Sequence, residues 1–158
     1  MSGLPSLGSR GEGWVIIQAI LLTALAAAGL LGPAWIDAPR SATTLAGTIL
    51  LILGATLAIR GARDLREALT PLPYPRDDAE LVETGVYALV RHPIYGGLIV
   101  ASLGWACLTA SLAAIGLTVV LLAFFELKSR REEIWLGERF LGYAAYRDRT
   151  RRFIPWIG

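Results

Sequence analysis

The sequence predicts an all-α membrane protein of about four transmembrane helices with a cytoplasmic loop and a C-terminal helix. Three observations carry this: long stretches without charge, a polar step dividing the longest of them, and basic residues crowded into particular segments. The 158 residues are 54% hydrophobic and only 18% charged, with a mean hydropathy of +0.54. No charge occurs within residues 14–36, 41–59 or 94–125. A hydrocarbon core about 30 Å thick takes about 20 apolar residues of helix, so each of the first two runs reads as one span. Small residues such as Ala26, Gly29, Gly47 and Gly54 fit this reading, because they let membrane helices approach closely.

The third run is long for one crossing and short for two. As a single helix its 32 residues would measure about 48 Å. Charge placement decides in favour of a hairpin turning at Thr109-Ala110-Ser111. Arg10 precedes the first span and Arg40 lies between the first two; the 60–93 loop carries five Arg and the tail after Phe125 eight Lys or Arg. A hairpin gathers fourteen of the fifteen basic residues on one side of the bilayer. Excess Lys and Arg mark the cytoplasmic side. The expected spans are 14–36, 41–59, 94–109 and 112–127, with 60–93, 128–158 and both termini cytoplasmic. The basic balance is therefore topological, with some attraction to anionic headgroups, and it is no argument for nucleic acid.

The first apolar run exceeds the usual signal-peptide core, and no clear A-x-A site follows, so it reads as a retained helix. Residues 1–13 are rich in Gly and Ser and predict little order. Gly32-Pro33 and Asp37-Ala38-Pro39 mark an external turn. Residues 60–69 alternate charges at helical spacing and extend the second helix. Pro71, Pro73 and Pro75 then forbid regular helix, and Gly85 is a pivot before the third span. From Lys128 to Tyr146, Ile134, Leu136, Phe140 and Tyr143 form an apolar stripe opposite Arg130, Arg131, Glu138 and Arg139. Pro155 ends the regular part. The single cysteine, Cys107, allows no intramolecular disulfide.

Two clusters could carry chemistry. Arg91-His92-Pro93-Ile94-Tyr95-Gly96-Gly97 opens the third span. Proline suits a first helical turn, and unpaired N–H groups there can seat a carboxylate or phosphate. The plain alternative is an interfacial belt of Arg and Tyr. Glu132-Glu133 is the second cluster, with a solvated helix face and a Lys128–Glu132 pair as its plain reading. Glu126 is a further candidate, since acids near the membrane end of a span are costly, although Arg130 can pair with it. One His and one Cys are too few for a His/Cys metal site. No Rossmann glycine motif or nucleophile elbow is present.

Leu81-Val82, Gly85-Val86-Tyr87 and Arg91-His92-Pro93-Ile94-Tyr95-Gly96 are followed, after a helical hairpin, by Glu132-Glu133, Leu136, Phe140, Tyr143, Tyr146 and Arg152-Phe153-Ile154-Pro155. In order and spacing this set resembles the isoprenylcysteine carboxyl methyltransferases and their relatives, the phospholipid methyltransferases, over residues 45–156. The resemblance implies a single membrane methyltransferase domain over 1–158 that uses S-adenosyl-L-methionine. Carried over by position, the cofactor contacts would be Leu81, Val82, Tyr87, His92, Pro93, Ile94, Tyr95 and Glu132. Lys128 and Glu126 would face the acceptor. Two departures stand out. Lys128 replaces an Arg of the family, losing bidentate carboxylate recognition, and Leu141 precedes Gly142 where a Gly would follow the Phe. The acceptor stays open among a lipophilic carboxylate, amine or thiol, and no catalytic base is assigned. The competing readings are an NADPH-dependent membrane reductase of the sterol type and a non-enzymatic membrane scaffold.

Overall fold

The computed structural model describes residues 4–34, 40–76 and 78–154. Five helices account for most of them: α1 (Glu12–Leu31), α2 (Arg40–Leu65), α3 (Pro93–Leu108), α4 (Leu112–Arg139) and α5 (Tyr143–Arg149). Short 3₁₀ turns follow α2 at Arg66–Ala68 and precede α3 at Gly85–Ala88. No strand occurs among the described residues, only two isolated bridges. The expected turn at Asp37–Pro39 and the stop at Pro155 lie outside the described residues.

Helices α1, α2 and α4 are long and apolar enough to cross a membrane, and α3 is a shorter apolar helix of 16 residues. About four crossings result. Their outward faces carry Ile16, Ile20, Ile52, Leu53 and Val119, all more than half exposed. Such a surface suits hydrocarbon, where only satisfied backbone and apolar side chains are stable. The protein is a multi-pass membrane protein.

Helix α3 packs against both α2 and α4, and α1 packs against α4. The α2–α3 contact is backbone against backbone. Gly47, Gly54 and Gly61 are buried at seven-residue intervals on α2, and Gly97 and Gly104 oppose them from α3. A Cβ on Gly97 would come within 2.6 Å of the Ala58 nitrogen and the Gly54 oxygen. One on Gly104 would meet the Gly47 oxygen at 2.8 Å. With little hydrophobic drive between helices in lipid, such proximity is how packing attraction is gained. Between α1, α3 and α4 the contact is instead made by large rings and aliphatics, with Trp14, Leu121, Phe124 and Phe125 buried together.

The hairpin turns where the polar step predicts. Ala110 adopts a left-handed conformation at φ 50°, and Ser111 caps α4 by accepting from the Ala114 N–H at 3.2 Å. The Ser111 hydroxyl also donates to the Ala28 carbonyl of α1 at 3.0 Å, and an antiparallel bridge joins Ser111 to Ala34. At the opposite end of the bundle, α4 does not stop at residue 127. It runs to Arg139, carrying Glu132 and Glu133 about one and a half turns beyond Leu127, so the expected separate tail helix is mostly the end of this one.

The N-terminal residues differ from expectation. Leu7 to Gly11 fold back on the start of α1: the Gly13 N–H donates to the Leu7 carbonyl at 2.8 Å, and Glu12 accepts from Ser9 Oγ at 3.1 Å. The Tyr74 N–H donates to the Arg10 carbonyl at 3.3 Å, and the Arg10 guanidinium lies over the Tyr74 ring. A Gly- and Ser-rich composition reports low propensity. It cannot report that a proline-rich loop offers partners.

Candidate functional site

The segments 4–11, 69–92 and 128–154 converge at the end of the bundle opposite the Ser111 turn. Gly85 makes part of this possible. Its φ is +62°, and a Cβ there would collide with the Asp64 carboxylate, which instead accepts the Val86 N–H at 2.8 Å. That anchor on the last turn of α2 sets the direction of the 3₁₀ turn and buries Tyr87. The following residues pair with the chain's tail. The Arg91 and His92 N–H groups donate to the Arg151 and Arg152 carbonyls at 2.8 and 2.9 Å, as the Arg151 N–H does to the Leu89 carbonyl at 3.2 Å. His92 then caps α3, with Pro93 in its first turn.

Glu132 and Glu133, adjacent on α4, serve different surroundings. Glu133 sits in an ion cluster: Arg91 Nε and His92 Nε2 donate to its Oε1 at 2.9 and 3.2 Å, and Arg152 Nε lies 3.3 Å away. Both the Arg91 and Glu133 side chains are more than nine-tenths buried. The Arg91 guanidinium also donates to the Arg147 and Thr150 carbonyls, locking the end of α5. Glu132 accepts from the Tyr95 hydroxyl at 2.7 Å, and His92 Nδ1 is 3.8 Å from the same oxygen. The His92, Tyr95 and Phe125 rings form a near-parallel stack, with centroid distances of 5.4 and 4.6 Å.

A cavity of about 340 Å³ opens beside this stack, within the range of about 300–1,000 Å³ usual for small-molecule sites. Leu81, Val82, Tyr87, His92, Ile94, Tyr95, Glu132 and Lys128 all line it. Pro93 and Glu126, two of the residues expected to contact ligand, do not. Pro93 is buried against Gly61 of α2, where a Cβ would come within 2.9 Å of its ring. Glu126 faces outward, accepting from Arg130 at 2.8 Å and from Arg152. Its role is to fasten the tail to α4.

Lys128 is not the solvated partner of Glu132 that helical spacing suggests. It is 1% exposed, its ammonium donating to Gln18 Oε1 of α1 at 2.6 Å and lying 5.1 Å from the centre of the Tyr95 ring. The packing of α1 on α4 covers this face, and the period of one helix cannot reveal what another lays over it. Gln18 was missed by sequence reasoning. Its signal is that it is the one side-chain amide in an otherwise apolar span. Tyr143 also lines the cavity, and its buried hydroxyl has no hydrogen-bond partner among the described residues. Burial and the neighbouring Glu133 carboxylate push that hydroxyl well above its ordinary pKa. Burial does the same at Tyr87, with Glu132 adding to it. Both stay neutral and able to donate.

Comparison with known proteins decides the family. Residues 42–141 match the family described as phospholipid methyltransferase. The chain belongs to that family. Among curated proteins, the chain is 30% identical over 116 residues to protein-S-isoprenylcysteine O-methyltransferase B of Arabidopsis thaliana, covering 70% of this chain and 58% of that one. It is 32% identical over 84 residues to the probable protein-S-isoprenylcysteine O-methyltransferase of Oryza sativa subsp. indica, 51% of this chain and 44% of the relative. A third relative is the cobalt-zinc-cadmium resistance protein CzcN of Cupriavidus metallidurans, 33% identical over 81 residues, 51% of this chain and 38% of that protein. The chain thus spans about half the length of the curated relatives it matches. The matched family region begins after α1, so Gln18 lies outside it.

Proposed function

We propose that this protein transfers the methyl group of S-adenosyl-L-methionine to a lipophilic acceptor, with the cofactor in the cavity between the 69–92 loop, the start of α3 and the tail. The observation carrying this is the cavity itself, walled by Leu81, Val82, Tyr87, His92, Ile94, Tyr95 and Glu132. Its donor set suits an amino-acid-bearing nucleoside. Glu132 can accept from an ammonium or ribose hydroxyls. The Tyr143 hydroxyl offers a donor that no described residue uses, and Leu81, Val82 and Leu136 offer apolar contact.

When bound, the cofactor supplies a methyl group on a sulfonium, already activated for displacement. The protein's part is then alignment and exclusion of water. The ring stack fixes Tyr95, and through it one oxygen of Glu132. The Arg91–Glu133–Arg152 cluster holds the tail over the loop, closing the cavity on the side away from the membrane. Lys128 and Gln18 mark the end nearest the apolar helices, where an acceptor with a hydrocarbon tail would present its head. The same reading places both termini and the cavity in the cytoplasm, on the strength of the fourteen basic residues.

Calorimetric titration of the detergent-purified protein with S-adenosylhomocysteine and, separately, NADPH tests this. Saturable heat with the former and none with the latter is expected. Heat only with NADPH would refute the methyltransferase reading.

A further inference from the structure

Buried charges are costly unless a counter-charge or several hydrogen bonds meet them. Lys128 has neither in full. Among the described residues no carboxylate lies within ion-pair distance of it, and its contacts are one amide oxygen, at 2.6 Å, and one aromatic face. The nearest acid in sequence on the cavity wall, Glu132, spends Oε2 on the Tyr95 hydroxyl. Gln18 satisfies Lys128 through its oxygen, which leaves the two N–H donors of its own amide. One corner of the cavity therefore holds an ammonium and an amide side by side, with donors to spare and no carboxylate among the described residues within ion-pair distance.

We propose that Gln18 of α1 is the residue that sets the charge selectivity of the acceptor site: as a neutral amide it orients Lys128 without neutralising it, so the corner takes a lipophilic acceptor with an anionic head and rejects an amine. This rests on the methyltransferase reading for its role in catalysis, but the selectivity is a binding property. The helix that supplies Gln18 lies outside the matched family region, so α1 is a wall of the site as well as a span. A lysine alone is a point charge, whereas lysine and amide together present two separated donors to the two oxygens of a carboxylate.

The decisive substitution is Gln18→Glu, which conserves shape and places a carboxylate against the ammonium. In the full chain, purified in an uncharged detergent and saturated with S-adenosylhomocysteine, octanoate and octylamine are titrated as probes. The wild type is expected to bind octanoate at least tenfold more tightly than octylamine. Gln18→Glu should remove or invert that ratio, and Lys128→Met should bring it close to one. Each variant is first titrated with S-adenosylhomocysteine to set its own saturating concentration, saturable heat reporting a folded site. A wild-type ratio near one, a preference for octylamine, or an octanoate preference that survives Gln18→Glu or Lys128→Met would overturn the proposal. Failure of the wild type to bind S-adenosylhomocysteine would instead count against the methyltransferase reading. The octanoate and octylamine titrations, repeated without it, then judge the charge selectivity alone.

Discussion

Adjacent residues on one helix can carry unrelated duties, and Glu132 and Glu133 are such a pair. The side chain of Glu133 is buried with that of Arg91, so Glu133→Gln leaves a buried guanidinium facing a neutral group. Breaking a buried pair costs about 3–5 kcal/mol; a clear fall in melting temperature in detergent is expected. Glu132→Gln keeps a hydrogen bond with Tyr95 and should melt near the wild type, yet lose at least tenfold in S-adenosylhomocysteine affinity. Equal melting losses in the two variants would contradict this division. Tyr143→Phe has an unusual sign. Its hydroxyl is buried without a partner among the described residues, and an unsatisfied buried group costs about 1–3 kcal/mol. Removing it should leave the ligand-free protein as stable or more so, while weakening S-adenosylhomocysteine binding roughly five- to tenfold, an effect on the order of one hydrogen bond. Because burial holds this hydroxyl in its neutral form, the loss should be the same at about pH 7 and about pH 9.

Helices α2 and α3 depend on the absence of side chains. A Cβ on Gly97 would strike the backbone of α2, and backbone yields less readily than a side chain. Gly97→Leu should cost about 1–3 kcal/mol or more through overpacking, read as a lower melting temperature. Gly116→Leu, on α4 where an added Cβ would meet no described neighbouring residue within 4 Å, is the control that should not. In the sequence Gly47 and Gly54 read as small residues that let helices approach, which does not say which helix they face. Apolar runs and the polar step at residues 109–111 were legible because hydropathy and turn chemistry are local. The paired motifs were legible because their spacing is maintained across the hairpin. The burial of Lys128, the contribution of Gln18 and the outward placement of Glu126 were not, since each depends on which helix lies alongside. Pro93 was expected at the ligand for its place in the motif; it starts α3 and packs on Gly61, outside the lining of the cavity.

For the whole molecule, the two ends of the bundle have different chemistry. One end is a tight turn around Ser111; the other gathers the N-terminal residues, the loop and the tail. In a Cys107→Ala background, cysteines at the exposed positions 80 and 112 should react with an impermeant maleimide from opposite sides of sealed vesicles. Position 80 should react from the cytoplasmic side. Labelling of both from one side would refute the four-span topology.

The bridge between Val90 and Arg151 also orders events in time. The loop emerges from the ribosome some sixty residues before the tail segment that pairs with it. Until then Arg91, His92 and Glu133 have no tail to clasp, and the cavity wants one of its walls. A chain stopped after Arg149 should insert its helices normally and yet bind no S-adenosylhomocysteine in the calorimeter. The nascent protein thus acquires its membrane helices first, and completes the wall of the cavity only once the segment around Arg151 has joined the loop.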